Sequence, residues 1–264
     1  MSKRAFQIAP QFRERVWGKH DLRPFFDQKF DKPIGEVWFD AGCPILVKLL
    51  FTSDRLSVQV HPDDEYAQRH HGSLGKTEAW YVIDAEPAGE IAAGFKKPIS
   101  RKELKAAAQS GEIERLLEWR KVKPGDLIFT PAGTVHAIGA GVTLWEIQEN
   151  SDITYRLYDY GRPRELHLDH GAEVSLLGPH EFDPSPVRLA EGREELVVSE
   201  YFRIERLRPK ESLTIVAGSP YYLILISTNG AVWFVPSENE EFTVGRGEWL
   251  LTYKSEAPAT VSLS

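Results

Sequence analysis

Of the 264 residues in the chain, 42% are hydrophobic and 27% are charged, and the formal net charge is −7. A chain of this length buries a substantial core without disulfides or structural metals, so a bound metal is free to serve a function. The acidic balance argues against nucleic acid or a membrane as the partner, since both attract basic surfaces. Cys43 is the single cysteine and the N-terminal segment lacks the apolar core of a signal peptide, so we expect a cytoplasmic protein.

Most of the chain consists of short β-branched and aromatic runs separated by Gly and Pro, a pattern typical of antiparallel sandwiches and barrels. Two segments predict helices instead. Residues 63 to 69 follow a proline and begin with acidic residues, and residues 100 to 119 have apolar positions at the helical period, with Ser100 as a candidate N-cap and a break at Gly111. The predicted strands are Ile45 to Phe51, Leu56 to Val60, Glu78 to Asp84, Asp126 to Thr130, Thr143 to Glu149, Ile153 to Leu157, Tyr201 to Arg208, Tyr221 to Ser227, Ala231 to Val235 and Glu248 to Tyr253.

The segment GDLIFTPAGTVH, from Gly125 to His136, carries the strongest local signal. Its glycines and Pro131 predict a tight connection between strands, which delivers His136 at the start of the next strand. The spacing Gly125-x5-Pro131-x-Gly133-x2-His136 is similar to the second sequence motif of the cupin superfamily. We therefore expect His136 to point into the space that the sheets enclose.

Three further candidate metal ligands lie upstream of this motif. Side chains on a strand alternate between its faces, so Gln59 and His61 in LSVQVHPDD project to the same side. Glu78 begins another predicted strand in GKTEAWYVID. With His136, these residues supply a neutral oxygen, two imidazole nitrogens and a carboxylate, a set that suits Zn²⁺ with open positions for water or substrate.

Motifs along the chain resemble, in their order, those of the type I mannose-6-phosphate isomerases, particularly the shorter bacterial forms. The resemblance covers residues 14 to 170 well and the rest of the chain loosely. It implies a mainly β fold, a double cupin of jelly-roll β-barrels with a small helical insertion in the first barrel. It also implies one zinc ion held by Gln59, His61, Glu78 and His136. The segments that carry the resemblance are GEVWFD, QVHPDDEYA, GKTEAWYV, GDLIFTPAGTVHAI and EIQENSDITYRLYDYGR.

The same resemblance implies roles in converting mannose 6-phosphate into fructose 6-phosphate. This reaction moves a proton between C2 and C1 through an enediol, so it requires a base, a group that neutralises the developing oxyanion and a holder for the phosphate. Glu146 is the first candidate base, with a metal-bound water or a nearby histidine as alternatives. Lys76 and Arg156 would line the substrate site and neutralise charge. Ser57, one strand repeat before Gln59 on the same face, would add a hydroxyl to the phosphate.

A polar, proline-rich stretch at residues 177–193 predicts a boundary between two domains. We expect residues 1–175 to form the metal-binding catalytic domain, with the helical insertion near residues 100–120. We expect residues 176–264 to form a second, metal-free, cupin-like β domain. The strands predicted after residue 193 are accompanied by no histidine, so histidine-dependent metal chemistry belongs to the first domain.

Two other functions remain open at this point. His61, Glu78 and His136 also match the two-histidine, one-carboxylate set of iron oxygenases, which makes an iron-dependent cupin dioxygenase an alternative. Gln59 and the basic residues argue against it, because they suit a phosphorylated substrate better than an oxidation. A non-catalytic sugar-binding cupin is the third possibility, since the fold alone does not define a function. The expected partner is a small sugar phosphate, and the sequence indicates no oligomeric state.

Overall fold

The structure is a computed structural model that describes residues 5–181, 185–216, 222–235, 241–254 and 259–263. This part of the chain is mainly β, which confirms the expected fold class, and Tyr221 at the start of one predicted strand lies outside it. The strands in the first 160 residues are β1 (Phe6–Gln7), β2 (Gln11–Asp21), β3 (Lys29–Asp40), β4 (Ile45–Phe51), β5 (Val58–Val60), β6 (Glu78–Ala85), β7 (Glu90–Phe95), β8 (Leu117–Lys121), β9 (Leu127–Thr130), β10 (His136–Ile138), β11 (Val142–Glu149) and β12 (Tyr155–Tyr158). The later strands are β13 (Val187–Ala190), β14 (Arg193–Val198), β15 (Arg203–Leu207), β16 (Ser212–Val216), β17 (Leu223–Ser227), β18 (Val232–Val235), β19 (Glu241–Gly245), β20 (Trp249–Tyr253) and β21 (Thr260–Leu263).

Short helices interrupt the strands of the first part of the chain. The longest of them begins at a capping box, in which Ser100 and Glu103 each accept a hydrogen bond from the other's backbone N–H. It ends at Gly111, whose φ of 81° lies in the left-handed region, and the predicted split at this glycine is confirmed. The helix prediction for residues 117–119 is wrong, because these residues begin β8, which pairs with β7. Within the described ranges, no helix is long and apolar enough to cross a membrane. The helices are α1 (Asp64–His71), α2 (Arg101–Ser110), α3 (Ile113–Leu116) and α4 (Leu168–Val174).

The strands form sheets of five, six, seven and three strands. Neighbouring strands are antiparallel, as in the pairing of β11 with β4 and β6, and of β17 with β18 and β20. Hydrogen-bonded neighbours run in the order β12-β5-β10-β7-β8 in the five-stranded sheet, β2-β3-β4-β11-β6-β9 in the six-stranded sheet, β1-β18-β17-β20-β15-β14-β13 in the seven-stranded sheet and β19-β16-β21 in the three-stranded sheet.

The six-stranded sheet is covered on both faces. On one face Leu50 packs in a cluster with Ile91 and Ile138 of the five-stranded sheet. On the other face Leu49 packs in a cluster with Ile224 of the seven-stranded sheet. All seven residues of β4 are consequently buried. Burying each such leucine contributes about 2 kcal/mol. Because side chains alternate between the two faces of a strand, this burial fixes which side chains of β4, β6 and β11 face the five-stranded sheet.

The outer layers complete the stack. The helices cover the far side of the five-stranded sheet, where Leu104 of α2 clusters with Val58 of β5. The three-stranded sheet packs on the far side of the seven-stranded sheet through Val244, which clusters with Leu225 and Leu251. Strand β1, from the start of the chain, pairs with β18. The division into domains near residue 175 stays a prediction.

Candidate metal centre and active site

The candidate site lies between the five-stranded and six-stranded sheets. Gln59, in the middle of β5, is directly opposite His136 on one neighbouring strand and Arg156 on the other. Such cross-strand neighbours have Cβ atoms about 5 Å apart. His61 follows β5 on the same face as Gln59, and Glu78 approaches from the first position of β6 in the facing sheet.

Three of the predicted ligands meet in the structure. The candidate ligand atoms of His61, Glu78 and His136 all lie within 4.8 Å of one another. The two Glu78 oxygens are 3.6 Å from His61 Nε2 and 3.3 Å from His136 Nε2. A hydrogen bond at Nδ1 orients each imidazole. His61 Nδ1 lies 2.8 Å from the Ile153 carbonyl oxygen, and His136 Nδ1 lies 2.9 Å from the Thr134 carbonyl oxygen. These bonds leave both Nε2 atoms facing the carboxylate.

Burial controls the protonation of these groups. It lowers the pKa of His61 well below its usual range, with a further contribution from Lys76, and it lowers the pKa of His136 to about 3. Both imidazoles are therefore neutral at physiological pH, the form that binds metals. Burial, reinforced by the nearby Glu146, raises the pKa of Glu78. A cation next to this carboxylate would favour its charged form.

The surroundings of two buried atoms indicate a cation site at this point. Within the part of the chain that the structure describes, Glu78 Oε1 and His136 Nε2 are buried without a hydrogen-bond partner. A buried polar atom left in this way costs about 1–3 kcal/mol. Two imidazole nitrogens and a carboxylate, with the Gln59 amide adjoining them, fit a divalent transition metal.

Lysines and a second glutamate lie beside the candidate ligands. Lys76 Nζ donates to Glu78 Oε2 at 2.7 Å and lies 3.8 Å from Glu146 Oε1. Lys48 Nζ lies 3.2 Å from the same Glu146 oxygen, and Trp80 Nε1 donates to the other oxygen at 3.1 Å. Burial alone would raise the pKa of Glu146, but the two lysines outweigh it and lower the pKa. Burial also opposes the charge of Lys76, yet the two glutamates raise its pKa.

A cavity of about 490 Å³ opens beside these charges. This volume is within the range of about 300–1,000 Å³ that is typical of small-molecule sites. Of the charged side chains that line it, the two lysines and Glu146 are buried, whereas Arg15 and Arg164 are partly exposed. The residues that line it are Glu14, Arg15, Val16, Trp17, Glu36, Lys48, Leu50, Leu56, Gln59, Lys76, Glu146, Asp152, Thr154, Arg156 and Arg164.

The structure brings most of the predicted substrate residues into this cavity. Lys76, Glu146 and Arg156 line it, beside Gln59. Ser57 is buried, donates to the Gln59 side-chain oxygen at 3.4 Å and is not among the residues that line the cavity. Its link to the site is therefore through Gln59.

Sequence reasoning missed Lys48, Arg15 and Arg164. The signal for Lys48 was present, because a lysine within the apolar run ILVKLLF is rarely buried unless it is paired. Arg15 and Arg164 gave no comparable signal, since each lies in a charged stretch that is typical of a solvated surface. Asp152, in the connection before β12, also lines the cavity.

Comparisons with known proteins agree with this geometry. The chain is 37% identical to the mannose-6-phosphate isomerase of Streptococcus mutans, over 79% of this chain and 67% of that protein. It is 39% identical to a probable mannose-6-phosphate isomerase of Bacillus subtilis, over 75% of this chain and 77% of that one. A crystal structure of the mannose 6-phosphate isomerase from Bacillus subtilis matches with a TM-score of 0.84 at 28% identity, covering 96% of this chain and 100% of the other. No family model matches the sequence. The matches to the two sequence relatives cover two thirds or more of each relative's length at more than 30% identity. The chain therefore belongs to the type I mannose-6-phosphate isomerases.

Proposed function

We propose that this protein is a zinc-dependent aldose–ketose isomerase that interconverts mannose 6-phosphate and fructose 6-phosphate. The observation that carries the proposal is the group formed by His61, Glu78 and His136, which stands beside a cavity lined by lysines and arginines. A polar cavity with positive charges along its wall suits a small phosphorylated substrate. The relatives named above carry the same activity in their names.

Gln59, His61, Glu78 and His136 would hold the one zinc ion. Neutral imidazoles and a carboxylate are ordinary zinc ligands, and Gln59 would add an amide oxygen because it adjoins His136 across the sheet. When bound, zinc would supply a Lewis acid that polarises the oxygens of the sugar and orients them.

Glu146 would move the proton between C2 and C1. Its low pKa keeps the carboxylate ionised and able to accept a proton at physiological pH. Lys48 and Lys76 would donate to the oxyanion that develops on the substrate, since both ammonium groups lie next to Glu146. As the lysines turn toward the substrate, their hold on Glu146 weakens and its basicity rises toward the range that suits a general base.

Arg156 would neutralise the phosphate at the other end of the substrate. Its Cα is directly opposite that of Gln59, and both side chains line the same cavity. A guanidinium matches the phosphate oxygens in two parallel hydrogen bonds. Ser57 would act through its hydrogen bond to Gln59.

The first experiment measures formation of fructose 6-phosphate from mannose 6-phosphate in a coupled assay, with and without a chelator. We expect turnover that the chelator abolishes and zinc restores, and metal analysis of the purified protein should give about one zinc per chain. Iron together with oxygen uptake would indicate the dioxygenase instead. Binding of sugar phosphate without turnover would contradict the proposal that the protein is an enzyme.

Two substitutions test the residues. His136→Ala should lose both the metal and turnover, because it removes one imidazole ligand. His20→Ala is the matched control, since His20 is exposed near the end of β2 and is neither a candidate ligand nor a cavity-lining residue. Lys76→Ala should keep the metal and lose about 100-fold or more in turnover, as expected when a group that stabilises the transition state is removed. Full activity in either His136→Ala or Lys76→Ala would refute the assignment.

A further inference from the structure

Three arginines line the cavity: Arg15 on β2, Arg156 on β12, and Arg164 on the loop after β12. They come from different parts of the fold, and mutual repulsion disfavours placing three guanidinium groups round one cavity. Burial and the charge of Arg164 lower the pKa of Arg156, Asp159 opposes them, and Arg15 lowers this pKa further. An anion bound among them would relieve the repulsion.

Arg156 has a donor available for such an anion. Its Nη1 donates to the Glu165 carbonyl oxygen at 3.0 Å, whereas its Nε is buried and has no hydrogen-bond partner within the described ranges. A buried guanidinium N–H without an acceptor is costly, since donors attached to charged groups lose more than neutral ones. A ligand oxygen in the cavity would satisfy it.

Arg164 is held in place by a buried carboxylate. Its Nε and Nη2 each donate to an oxygen of Asp159 at 2.6 Å, and Asp159 is 2% exposed. The chain turns sharply between them, since Tyr160 and Gly161 have φ angles of 54° and 79°. Asp159 also accepts from Arg162 at 3.2 Å, and Arg162 has a second carboxylate partner in Asp54. Nη1 of Arg164 makes no contact with this carboxylate.

Arg15 is fixed in a similar way. Its Nε and Nη2 donate to the two oxygens of Glu36 at 3.0 and 2.9 Å. Glu36 also accepts from Trp38 Nε1 at 2.7 Å, which further anchors the carboxylate. Arg15 Nη1 also donates to the Glu14 carbonyl oxygen at 3.1 Å. Arginines held in this way lose little side-chain entropy on binding a ligand, so the guanidinium N–H groups that stay free are preorganised.

We infer that Arg15 and Arg164, together with Arg156, form the subsite for the terminal phosphate of the substrate. This inference rests on the proposed function and adds two residues to it. In an open-chain hexose 6-phosphate, the reacting carbons and the phosphate lie at opposite ends of the molecule. The cavity has a similar division: Lys48 and Lys76 are buried beside the candidate metal ligands, whereas the side chains of Arg15 and Arg164 are 32% and 30% exposed. The site therefore selects hexoses with a terminal phosphate monoester over free hexoses.

The test replaces each arginine with glutamine and separates KM from kcat. We expect Arg164→Gln and Arg15→Gln to raise KM for mannose 6-phosphate about tenfold or more, as for loss of one charge-assisted hydrogen bond. Their kcat should change less than threefold, because neither side chain reaches the reacting carbons. Arg162→Gln is the matched control: Arg162 pairs with the same Asp159 but is not among the cavity-lining residues, so KM should stay within twofold.

A binding experiment tests the subsite without turnover. Inorganic phosphate titrated into the protein should bind in wild type and in Arg162→Gln, and at least tenfold more weakly in Arg164→Gln and Arg15→Gln. Asp159→Asn, which removes the carboxylate that holds Arg164, should also weaken phosphate binding. Unchanged phosphate binding and KM in both Arg15→Gln and Arg164→Gln would overturn the inference, as would an equal loss in Arg162→Gln. If wild type bound phosphate with this arginine dependence but showed no isomerase turnover, the proposed function would fail while the subsite would stand.

Discussion

Replacing Lys48 with methionine tests how the buried charges of the site are balanced. Lys48 is 3% exposed, and its ammonium lies 3.2 Å from Glu146 Oε1 and 4.5 Å from the centre of the Trp38 ring. At the separation of 3.2 Å between Lys48 Nζ and Glu146 Oε1, two unit charges interact by about 5 kcal/mol at an effective dielectric constant of about 20, before the cost of desolvation. Methionine keeps an unbranched apolar side chain that ends one atom short of Nζ, and it removes the charge with its N–H donors.

The expected net effect is smaller than the Coulomb energy. Removing one partner of a buried ion pair costs about 3–5 kcal/mol, because the other charge stays buried without compensation. Glu146 retains Lys76 at 3.8 Å and the hydrogen bond from Trp80. We therefore expect Lys48→Met to lower the free energy of unfolding by about 3 kcal/mol, at the low end of that range. In a double-mutant cycle with Glu146→Gln, the coupling energy should be about 2 kcal/mol.

Urea unfolding followed by tryptophan fluorescence measures these energies, with a chelator present so that metal binding does not contribute. The matched control is the surface pair of Lys32 and Glu14, whose side chains are 69% and 57% exposed and whose charged atoms lie 2.9 Å apart. A cycle on this exposed pair should give a coupling energy of about 0–1 kcal/mol. A coupling energy between Lys48 and Glu146 no larger than that of the surface pair would refute the reasoning.

Three further outcomes follow from the structure. Zinc at about 100 times its dissociation constant should stabilise the wild type by about 2.7 kcal/mol in thermal unfolding and leave His136→Ala unaffected. Ser100→Ala removes half of the capping box with Glu103 and should cost about 1 kcal/mol in urea unfolding, whereas Ser100→Thr, which keeps the hydroxyl, should cost less. Burial raises the pKa of Glu149 to about 7. The folded protein thus binds this proton more tightly than the unfolded chain, so the stabilisation is complete below the ordinary pKa of 4.5 and is lost as the pH rises through about 7. Glu149→Gln should flatten the fall in unfolding free energy between about pH 5 and pH 8, and an unchanged slope would contradict this assignment.

The sequence predicted the parts of the site that depend on one strand. Alternation along LSVQVHPDD places Gln59 and His61 on one face because that geometry is local, and the structure keeps it. The same holds for α2, whose N-cap Ser100 and terminal Gly111 follow from backbone chemistry within a few residues. Local rules succeed at these positions because no distant contact is needed to fix them.

Features that depend on strand pairing were not predictable in this way. The partner of Lys48 is Glu146 because β4 pairs with β11 in one register, and that register is set by residues about 100 positions apart in sequence. Strand β2 was missed because QFRERVWGKHD is rich in charges and lies half exposed at the edge of the six-stranded sheet. With β2 missed, Arg15 could not be placed at the cavity.

The buried charges and the partly exposed charges of the cavity come from different parts of the fold, and this has a consequence for the chemistry. Lys48 and Glu146 project from the middle of buried strands, where packing on both sheet faces fixes the backbone. Arg164 lies on a loop and depends on Asp159 for its position. Proton transfer tolerates only displacements of the reacting groups that are well below 1 Å, so these groups belong on the rigid strands. Phosphate recognition by charge tolerates more adjustment, so a loop held by one carboxylate is sufficient for it, and changes in that loop should alter KM before they alter kcat.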